Sequence, residues 1–235
     1  MRLNIQQLSV RLETVAGFVP KNARLADIGS DHAYLPCVLA ARDVVSDALA
    51  GEVVKGPFEA AAEQIKTSGV GDRVSARLGD GMDVIETTDD INVVTICGMG
   101  GDLISKILEK GRLKDKLVGV ERLILQPNNG EKKLREWLIG HQYKIIDETI
   151  LEENGKIYEI LVAEKAESPE NYTDLEYSFG RFLLQEKNDI FRKKWSAEID
   201  KCQYILDSMQ KASNDLNEKE QQVINKINEI KEVLK

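Results

Sequence analysis

The chain contains few of the residues that bind metals or form disulfides. Its 235 residues include three cysteines, Cys37, Cys97 and Cys202, and two histidines, His32 and His141. Cysteines so widely spaced do not form the disulfide framework of a small secreted domain, and two histidines leave a structural zinc site short of ligands. We therefore expect no bound metal.

Long apolar runs are missing as well. No stretch approaches the roughly 18 consecutive apolar residues of a membrane-spanning helix. Residues 1–20 lack the charged start, apolar centre and small-residue cleavage site of a signal peptide. We expect a cytoplasmic protein with no membrane partner. The hydrophobic content of 42% is nevertheless enough for a sizeable core.

An excess of positive charge is also absent. The formal net charge of −8 excludes a chain that coats nucleic acid through its overall field. Local basic surfaces remain compatible with that charge, because residues 1–24 hold four basic residues against one acidic residue.

Two patterns divide the chain near residue 168. Before it, short runs rich in β-branched residues alternate with helical patterns, which predicts a parallel sheet covered by helices. The predicted helices are 4–16, 34–42, 57–67, 102–109 and 131–140. The predicted strands are 24–28, 47–53, 74–78, 92–97, 122–126, 143–151 and 156–163. After residue 168 the strand patterns disappear.

The last two predicted strands are joined by Asn154-Gly155, a strong hairpin signal because both residues tolerate positive φ. The sheet is therefore expected to end in an antiparallel pair. Five parallel strands followed by such a pair indicate an α/β fold with the Rossmann-like, mostly parallel sheet of the class I methyltransferases, and they differ from the wholly parallel dinucleotide-binding fold.

The C-terminal segment has helical patterns over 174–213 and 217–234. Apolar residues recur there at spacings of three and four, which are the spacings of a coiled-coil seam; they are Ile199, Cys202, Leu206 and Met209, then Val223, Ile227, Ile230 and Leu234. We predict a first domain over 1–168 and a helical coiled-coil hairpin over 169–235. A hairpin favours a monomer, and a dimerising coiled coil is the alternative.

The segment LADIGSDHAYLP, residues 25–36, places a glycine loop after the first predicted strand. A dinucleotide site needs the pattern GxGxxG so that a pyrophosphate can approach the helix N-terminus. Here two of the three glycines are missing, and the carboxylate of Asp31 would repel a pyrophosphate. The loop therefore disfavours NAD.

Acidic residues follow three of the first four strands: Asp27 and Asp31, then Glu52, then Asp80. The carboxyl ends of parallel strands meet at one edge of the sheet, so these acids favour a cationic ligand such as S-adenosylmethionine. Its ammonium and ribose hydroxyls suit carboxylates, and its adenine amino group suits Asp80. The candidate cofactor-binding residues are Asp27, Gly29, Ser30, Asp31, His32, Glu52, Val53, Asp80, Gly81, Cys97 and Gly98.

Simpler explanations stand beside this hypothesis. Asp27 and Asp80 also suit turn and helix-cap chemistry, and His32 also suits a residue that packs beside the ligand without binding it.

Six segments resemble the bacterial tRNA (adenine(22)-N(1))-methyltransferases, the TrmK family, over essentially the whole chain. They are SVRLETVAGFVP (9–20), LADIGSDHAYLP (25–36), GEVVKGPFEAA (51–61), ICGMGG (96–101), LQPN (125–128) and ENGKIYEI (153–160). The resemblance implies methyl transfer from S-adenosylmethionine to N1 of adenine 22 in tRNA.

Ring N1 already offers an in-plane lone pair, so attack on the sulfonium methyl needs alignment more than a strong base. We predict that Gly98 admits the flat base and that Met99 forms an apolar wall. Asp31 would stabilise the positive charge that develops on the base, and Asn128 would bind its 6-amino group. Alternatively, CGMGG is only a tight turn and QPN only the start of a helix.

The target base must leave its stack while the enzyme holds the phosphate backbone. Candidate RNA-binding residues are Arg2, Arg11, Lys132, Lys133, Arg135, Arg192, Lys193 and Lys194. Each cluster could instead be an ordinary solvated face. Two other functions remain open at this stage: a non-catalytic protein that binds a partner through the helical hairpin, and a small-molecule methyltransferase.

Overall fold

The computed structural model describes residues 7–212 and 218–235, and it contains one seven-stranded sheet. The strand order is β3-β2-β1-β4-β5-β7-β6. The strands are β1 Ala23–Ile28, β2 Val45–Glu52, β3 Val74–Leu78, β4 Val93–Gly100, β5 Arg122–Asn129, β6 Tyr143–Glu153 and β7 Lys156–Lys165. Strands β1 to β5 pair in parallel, and β7 runs antiparallel to both β5 and β6. This arrangement confirms the class I methyltransferase sheet.

Nine helices are described. They are α1 Val10–Gly17, α2 Tyr34–Ala41, α3 Lys55–Ser68, α4 Gly101–Leu113, α5 Glu131–Gly140, α6 Asp174–Phe179, α7 Arg181–Glu186, α8 Asp189–Ala212 and α9 Glu218–Leu234. One buried apolar cluster includes residues of α1, α2 and α3, and a second, on the opposite face of the sheet, includes residues of α4 and α5. The sheet is therefore covered on both faces, as parallel strands require. No described helix is long and apolar enough to cross a membrane.

The first helix begins later than its sequence pattern indicates. Residues 7–9 are not helical, and α1 starts at Val10 because the Ser9 hydroxyl accepts a hydrogen bond from the Leu12 amide at 3.3 Å. A serine at this position satisfies a free amide of the first turn and so fixes the start of the helix. Residues 4–6 of the predicted helix lie outside the described residues.

The predicted long helix over 174–213 is wrong, because it is divided into α6, α7 and α8. The first break is Gly180, whose φ of +86° is unfavourable for any other residue. A Cβ at this glycine would also lie 2.8 Å from side-chain atoms of Arg135 and Glu148. The second break is at Lys187, where φ is +43°.

Helices α8 and α9 pack against each other, with Cys202 and Leu206 buried in α8 and Ile227 and Ile230 buried in α9. The predicted turn between them falls on residues 213–217, which lie outside the described residues. Helices α6, α7 and α8 also pack on the sheet domain through a third apolar cluster, formed by Phe179, Leu183, Phe191, Trp195 and Ile150 of β6 among others. The C-terminal helices are therefore joined to the sheet domain by a shared core.

Beside this core lies a buried charged cluster centred on Arg135 of α5. Its side chain is fully buried, with Nε 2.6 Å from Glu148 Oε1 and Nη2 2.5 Å from Glu159 Oε2. Burial lowers the pKa of the guanidinium, but the two carboxylates outweigh it and the pKa is raised. The prediction that Arg135 binds RNA is wrong, because its guanidinium is held inside the protein.

Removing this guanidinium should strongly destabilise the fold, because the buried Glu148 would lose its ion pair and the buried Glu159 would keep only Lys194. We expect Arg135→Met to lower the free energy of unfolding by about 3–5 kcal/mol, measured by urea denaturation followed by circular dichroism. The control is Lys193→Ala, which removes the exposed ion pair with Glu152 and should cost less than about 1 kcal/mol. Equal losses in the two variants would contradict the assignment.

Candidate active site

The loop after β1 has an unusual left-handed backbone. Gly29 and three consecutive non-glycine residues, Asp31, His32 and Ala33, all have φ between +45° and +70°. Such conformations are costly for side chains larger than glycine and persist only where neighbouring structure holds them. Here the Gly29 and Ser30 amides donate to the Gly51 carbonyl at 2.9 and 3.3 Å, so β2 fixes the loop.

Glu52, at the end of β2, also holds this loop. Its Oε1 accepts a hydrogen bond from the Asp31 amide at 2.6 Å. Burial raises the pKa of Glu52, the Asp31 amide lowers it, and the nearby carboxylates of Asp27 and Asp31 raise it further. This hydrogen bond joins Glu52 to Asp31, and both are predicted cofactor-binding residues.

Asp27 lies below the loop at the end of β1 and is buried. Its Oδ2 accepts from the Ser30 hydroxyl and its Oδ1 from the Thr95 hydroxyl, both at 2.6 Å. Burial raises its pKa, although both hydroxyls and the charge of Arg11 lower it. The carboxylate is therefore fixed in place.

The Asp31 side chain, by contrast, is 88% exposed. Its Oδ1 lies 3.5 Å from His32 Nε2, and the His32 ring stacks on Tyr34 with a centroid distance of 5.6 Å. Asp31 borders the same cavity as Asp27, so one carboxylate is rigid and buried while the other is free to meet a ligand.

The glycine-rich end of β4 faces this loop. Gly98 has φ +75°, and the terminal methyl of Met99 occupies the space where a side chain at Gly29 would lie. A Cβ at Gly101 would collide with the Gly130 carbonyl, so the start of α4 packs directly on the backbone before α5. Burial raises the pKa of the Cys97 thiol in this wall. Small residues are required at the end of β4 because the loop after β1 lies in close contact with it on one side and the backbone before α5 on the other.

Gln126 connects β5 to this wall and was not among the predicted site residues. Its side chain is buried; Oε1 accepts from Arg11 Nη1 at 2.5 Å and from the Gly98 amide at 3.0 Å. Its Nε2 donates to the Pro127 carbonyl at 2.8 Å and to Asn128 Oδ1 at 3.2 Å. The signal in the sequence was a glutamine at the end of an apolar strand, RLILQ, where a buried amide needs partners.

Asn128 is oriented by the same network. Its Nδ2 donates to the Gly98 carbonyl at 2.7 Å, while its Oδ1 accepts from Gln126. The amide therefore presents one partly used oxygen at the edge of the cavity.

Together these residues enclose a cavity of about 330 Å³ at the carboxyl ends of β1, β4 and β5. Its lining includes Arg11, Asp27, Gly29, Ser30, Asp31, Tyr34, Cys97, Gly98, Met99, Asn128 and Tyr158. The structure thus brings together most of the predicted residues, and it adds Arg11, Tyr34 and Tyr158 to the lining.

Five predicted cofactor-binding residues lie outside that lining: His32, Glu52, Val53, Asp80 and Gly81. Asp80 is exposed and pairs with Lys110 at 2.7 Å, and Gly81 packs near Ile107 with φ +58°. Val53 follows Glu52 and is 63% exposed. Donor binding by Val53 and Gly81, and contact of Asp80 with the adenine amino group, stay predictions.

A second, larger cavity of about 770 Å³ lies between the segment 128–132, the β6–β7 turn and the C-terminal helices. Asn128 is part of the lining of both cavities. Lys132, Lys194, Lys201 and Lys226 are on its walls together with Glu131, Glu198 and Glu229.

The remaining predicted RNA-binding residues fall into different environments. Lys132 is exposed, Lys133 pairs with Asp102, Lys193 pairs with Glu152, and the exposed Arg192 donates to the Leu234 carbonyl. Arg2 lies outside the described residues.

Lys194 requires a correction. It is bound 2.7 Å from both Glu131 and Glu159, and these carboxylates raise its pKa against the effect of burial. Its charge is therefore neutralised within the protein, and it joins α8 to α5 and β7 instead of offering a free cation to RNA.

The donor set suits S-adenosylmethionine. Asp27 and Asp31 supply negative charge for an ammonium group, Glu52 supplies a carboxylate at the end of β2, and the glycines leave the backbone open to a ligand. The acidic side chains would repel a pyrophosphate, and the loop lacks two of the three glycines that a pyrophosphate site requires.

Comparisons with known proteins agree with this geometry. The family model for TrmK, tRNA (adenine(22)-N(1))-methyltransferase, matches residues 25–232. The Bacillus subtilis (strain 168) protein of that name is 45% identical over 237 residues, which cover 99% of this chain and 98% of that protein. The structure of Streptococcus pneumoniae Sp1610 in complex with S-adenosyl-L-methionine is 44% identical, with a TM-score of 0.89, over 97% of this chain and 100% of that chain. Mycoplasma capricolum TrmK with S-adenosyl-homocysteine is 28% identical, with a TM-score of 0.84, over 98% of this chain and 100% of that chain. The chain belongs to the tRNA (adenine(22)-N(1))-methyltransferase family.

Proposed function

We propose that this protein methylates N1 of adenine 22 in tRNA with S-adenosylmethionine as methyl donor. The observation that carries the proposal is the acid-lined cavity at the strand ends, found in a chain that matches this family over nearly its whole length. Family membership favours this activity over the two other functions considered from the sequence, small-molecule methylation and non-catalytic binding.

The reaction needs alignment more than deprotonation. When bound, S-adenosylmethionine supplies an electrophilic methyl group, which the N1 lone pair attacks as the bond from carbon to sulfur breaks. The methylated base gains a positive charge, and a carboxylate beside it lowers the energy of that state. Asp31 is suited to this role because its exposed carboxylate borders the cavity.

Other residues would position the base. Gly98 leaves the wall open to a flat ring, and Met99 forms its apolar side. Asn128 Oδ1, which accepts one hydrogen bond from Gln126, has a lone pair left to accept from the adenine 6-amino group.

The larger cavity would hold the RNA that surrounds the target base, because Asn128 lines both this cavity and the smaller one. Lys132, Lys133, Arg192 and Lys193 would contact phosphates near it. In this proposal residues 1–168 bind the donor and residues 169–235 help to hold tRNA. We further propose a cytoplasmic enzyme that acts as a metal-free monomer, since α8 and α9 use their apolar faces on each other.

The activity is tested by incubating the protein with unmodified tRNA and isotopically labelled donor, followed by mapping of the modified nucleoside. We expect 1-methyladenosine at position 22, and no transfer to a tRNA with guanine at that position. Label at another nucleoside, or only in a small-metabolite extract, would refute the proposal.

Asp31→Asn should reduce methyl transfer at saturating substrates by about 10²-fold or more, because it removes the charge that stabilises the cationic product. Asparagine tolerates the left-handed backbone at this position, so the melting temperature should stay unchanged. Full turnover by this variant would remove Asp31 from the mechanism.

Glu52→Gln should act chiefly on donor binding. We expect the dissociation constant for S-adenosylmethionine, measured by calorimetry, to rise by roughly 10- to 100-fold, because a charge-assisted acceptor is lost. Turnover at saturating donor should fall only a few-fold. A large loss of turnover with unchanged donor affinity would contradict this role.

Lys132→Glu should weaken tRNA binding while donor affinity stays unchanged. Removing one phosphate contact should also reduce the slope of log affinity against log salt by about 1, as measured by filter binding at several salt concentrations. Lys66→Glu, at an exposed position of α3 in the sheet domain, is a charge-matched comparison. An equal effect of both variants would show a general charge effect instead of a contact.

A further inference from the structure

The larger cavity contains a buried hydrogen-bond donor without a partner. Trp195 of α8 is part of its lining, and the residue is 9% exposed. Within residues 7–212 and 218–235, no group accepts a hydrogen bond from its Nε1. Because a buried N–H without an acceptor lowers stability, this donor is suited to a ligand that brings an acceptor into the cavity.

Two other buried side-chain atoms have no partner in the described part of the chain, the hydroxyl oxygens of Ser105 and Tyr172. Neither residue lines the larger or the smaller cavity. A hydroxyl can also turn its hydrogen to suit its surroundings, whereas the direction of an indole N–H is fixed by the ring. Of the three, Trp195 alone is placed to meet a ligand in one of these two cavities.

The wall around Trp195 is apolar. Ile157, Phe179 and Ile230 line the same cavity and belong to or pack against the third apolar cluster. The centroid of the Phe179 ring lies 4.3 Å from that of the Trp195 ring. An apolar wall with an N–H donor suits a nucleobase, which buries its flat faces against side chains and offers carbonyl oxygens and ring nitrogens as acceptors.

The charges of this cavity favour a base over a phosphate in its interior. Three of its four lysines are paired with glutamates that also line the cavity; the pairs are Lys194–Glu131, Lys201–Glu198 and Lys226–Glu198. The fourth, Lys132, is exposed and has no carboxylate oxygen within 4.0 Å among the described residues. A neutral base therefore suits the interior, and the phosphate of the same nucleotide suits Lys132.

We propose that the larger cavity binds the base of a nucleotide next to adenine 22, and that Trp195 Nε1 donates a hydrogen bond to that base. The inference rests on the proposed function. A target base that leaves its stack separates from its neighbours. Because Asn128 lines both cavities, a neighbouring nucleotide is the part of the tRNA that lies closest to the larger one when adenine 22 occupies the smaller one.

The test measures kcat/KM for methyl transfer to three versions of one tRNA. One is intact, and the other two lack the base immediately before or immediately after adenine 22. An abasic nucleotide keeps its phosphate, so the charge of the tRNA is unchanged. With the wild-type protein, one of the two abasic tRNAs should lose roughly 5- to 100-fold in kcat/KM, as for other contacts between a base and an aromatic side chain.

Trp195→Phe removes the N–H and keeps an aromatic ring. It should lower kcat/KM for the intact tRNA by roughly 3- to 10-fold, as for the loss of one hydrogen bond, and should cause no further loss with the sensitive abasic tRNA. The matched control is Trp137→Phe, which changes the other tryptophan of the chain. Trp137 donates to Glu109 at 3.3 Å and lies outside the lining of both cavities, so the three tRNAs should keep their wild-type values.

A second variant tests the cavity without changing the core. Ala197 is exposed and lines the larger cavity, so Ala197→Phe narrows the space for a base. We expect a loss of about 10-fold or more with the intact tRNA and none with the sensitive abasic tRNA. Ser196→Phe adds the same bulk at an exposed neighbour outside the lining and should have no effect. Circular dichroism checks that each variant is folded, and donor affinity, measured by calorimetry, should stay at the wild-type value.

Three results would overturn the inference. The wild-type protein would methylate both abasic tRNAs as efficiently as the intact one; or Trp195→Phe would leave kcat/KM for the intact tRNA unchanged; or Trp195→Phe and Ala197→Phe would lower kcat/KM equally for the intact and the abasic tRNAs. If the wild-type protein does not methylate the intact tRNA, the proposed function itself fails, which is distinct from failure of the base subsite.

Discussion

The site depends on the hydrogen bonds by which β2 holds the loop after β1. Three consecutive residues with side chains adopt positive φ there, a conformation that would relax without support. The Gly51 carbonyl and the Glu52 carboxylate accept amides of this loop and supply that support. Because of this constraint, Asp27 stays buried under the loop while Asp31 lies at its mouth. The cavity therefore offers a ligand one fixed, buried carboxylate and one exposed carboxylate.

A second constraint links the cavity to the C-terminal helices. Arg135 joins Glu148 and Glu159 in the interior, and Glu159 is shared with Lys194 of α8. Burial alone would raise the pKa of Glu159, but Lys194 and Arg135 outweigh burial and lower it. Lys194 also holds Glu131, which lies three residues after Asn128 in the chain. The helices that border the larger cavity are thus attached to the wall of the smaller one.

The parts of this structure that local sequence patterns determine could be predicted. Strand β3 and helix α5 have the predicted bounds, and the hairpin at Asn154-Gly155 has the predicted position, because turn residues and apolar periodicity mark them. The convergence of Asp27, Asp31 and Glu52 followed from strand order alone. The burial of Arg135 could not be predicted, since an arginine in an amphipathic helix usually faces water and local periodicity does not show which carboxylates of β6 and β7 it meets. The contact of Arg11 with Gln126 likewise joins residues 115 positions apart, and the break at Gly180 depends on the packing of Arg135 and Glu148.

We propose that the acid-lined cavity at the strand ends holds a positively charged methyl donor. A crystal structure of the protein with S-adenosylmethionine tests it most directly. We expect the amino-acid end of the donor between the loop after β1 and the end of β4, with its ammonium facing Asp27 or Asp31 and its ribose hydroxyls at Glu52. Density for the donor at another place, or in this cavity with its ammonium turned away from all three acids, would show that these acids do not bind the donor.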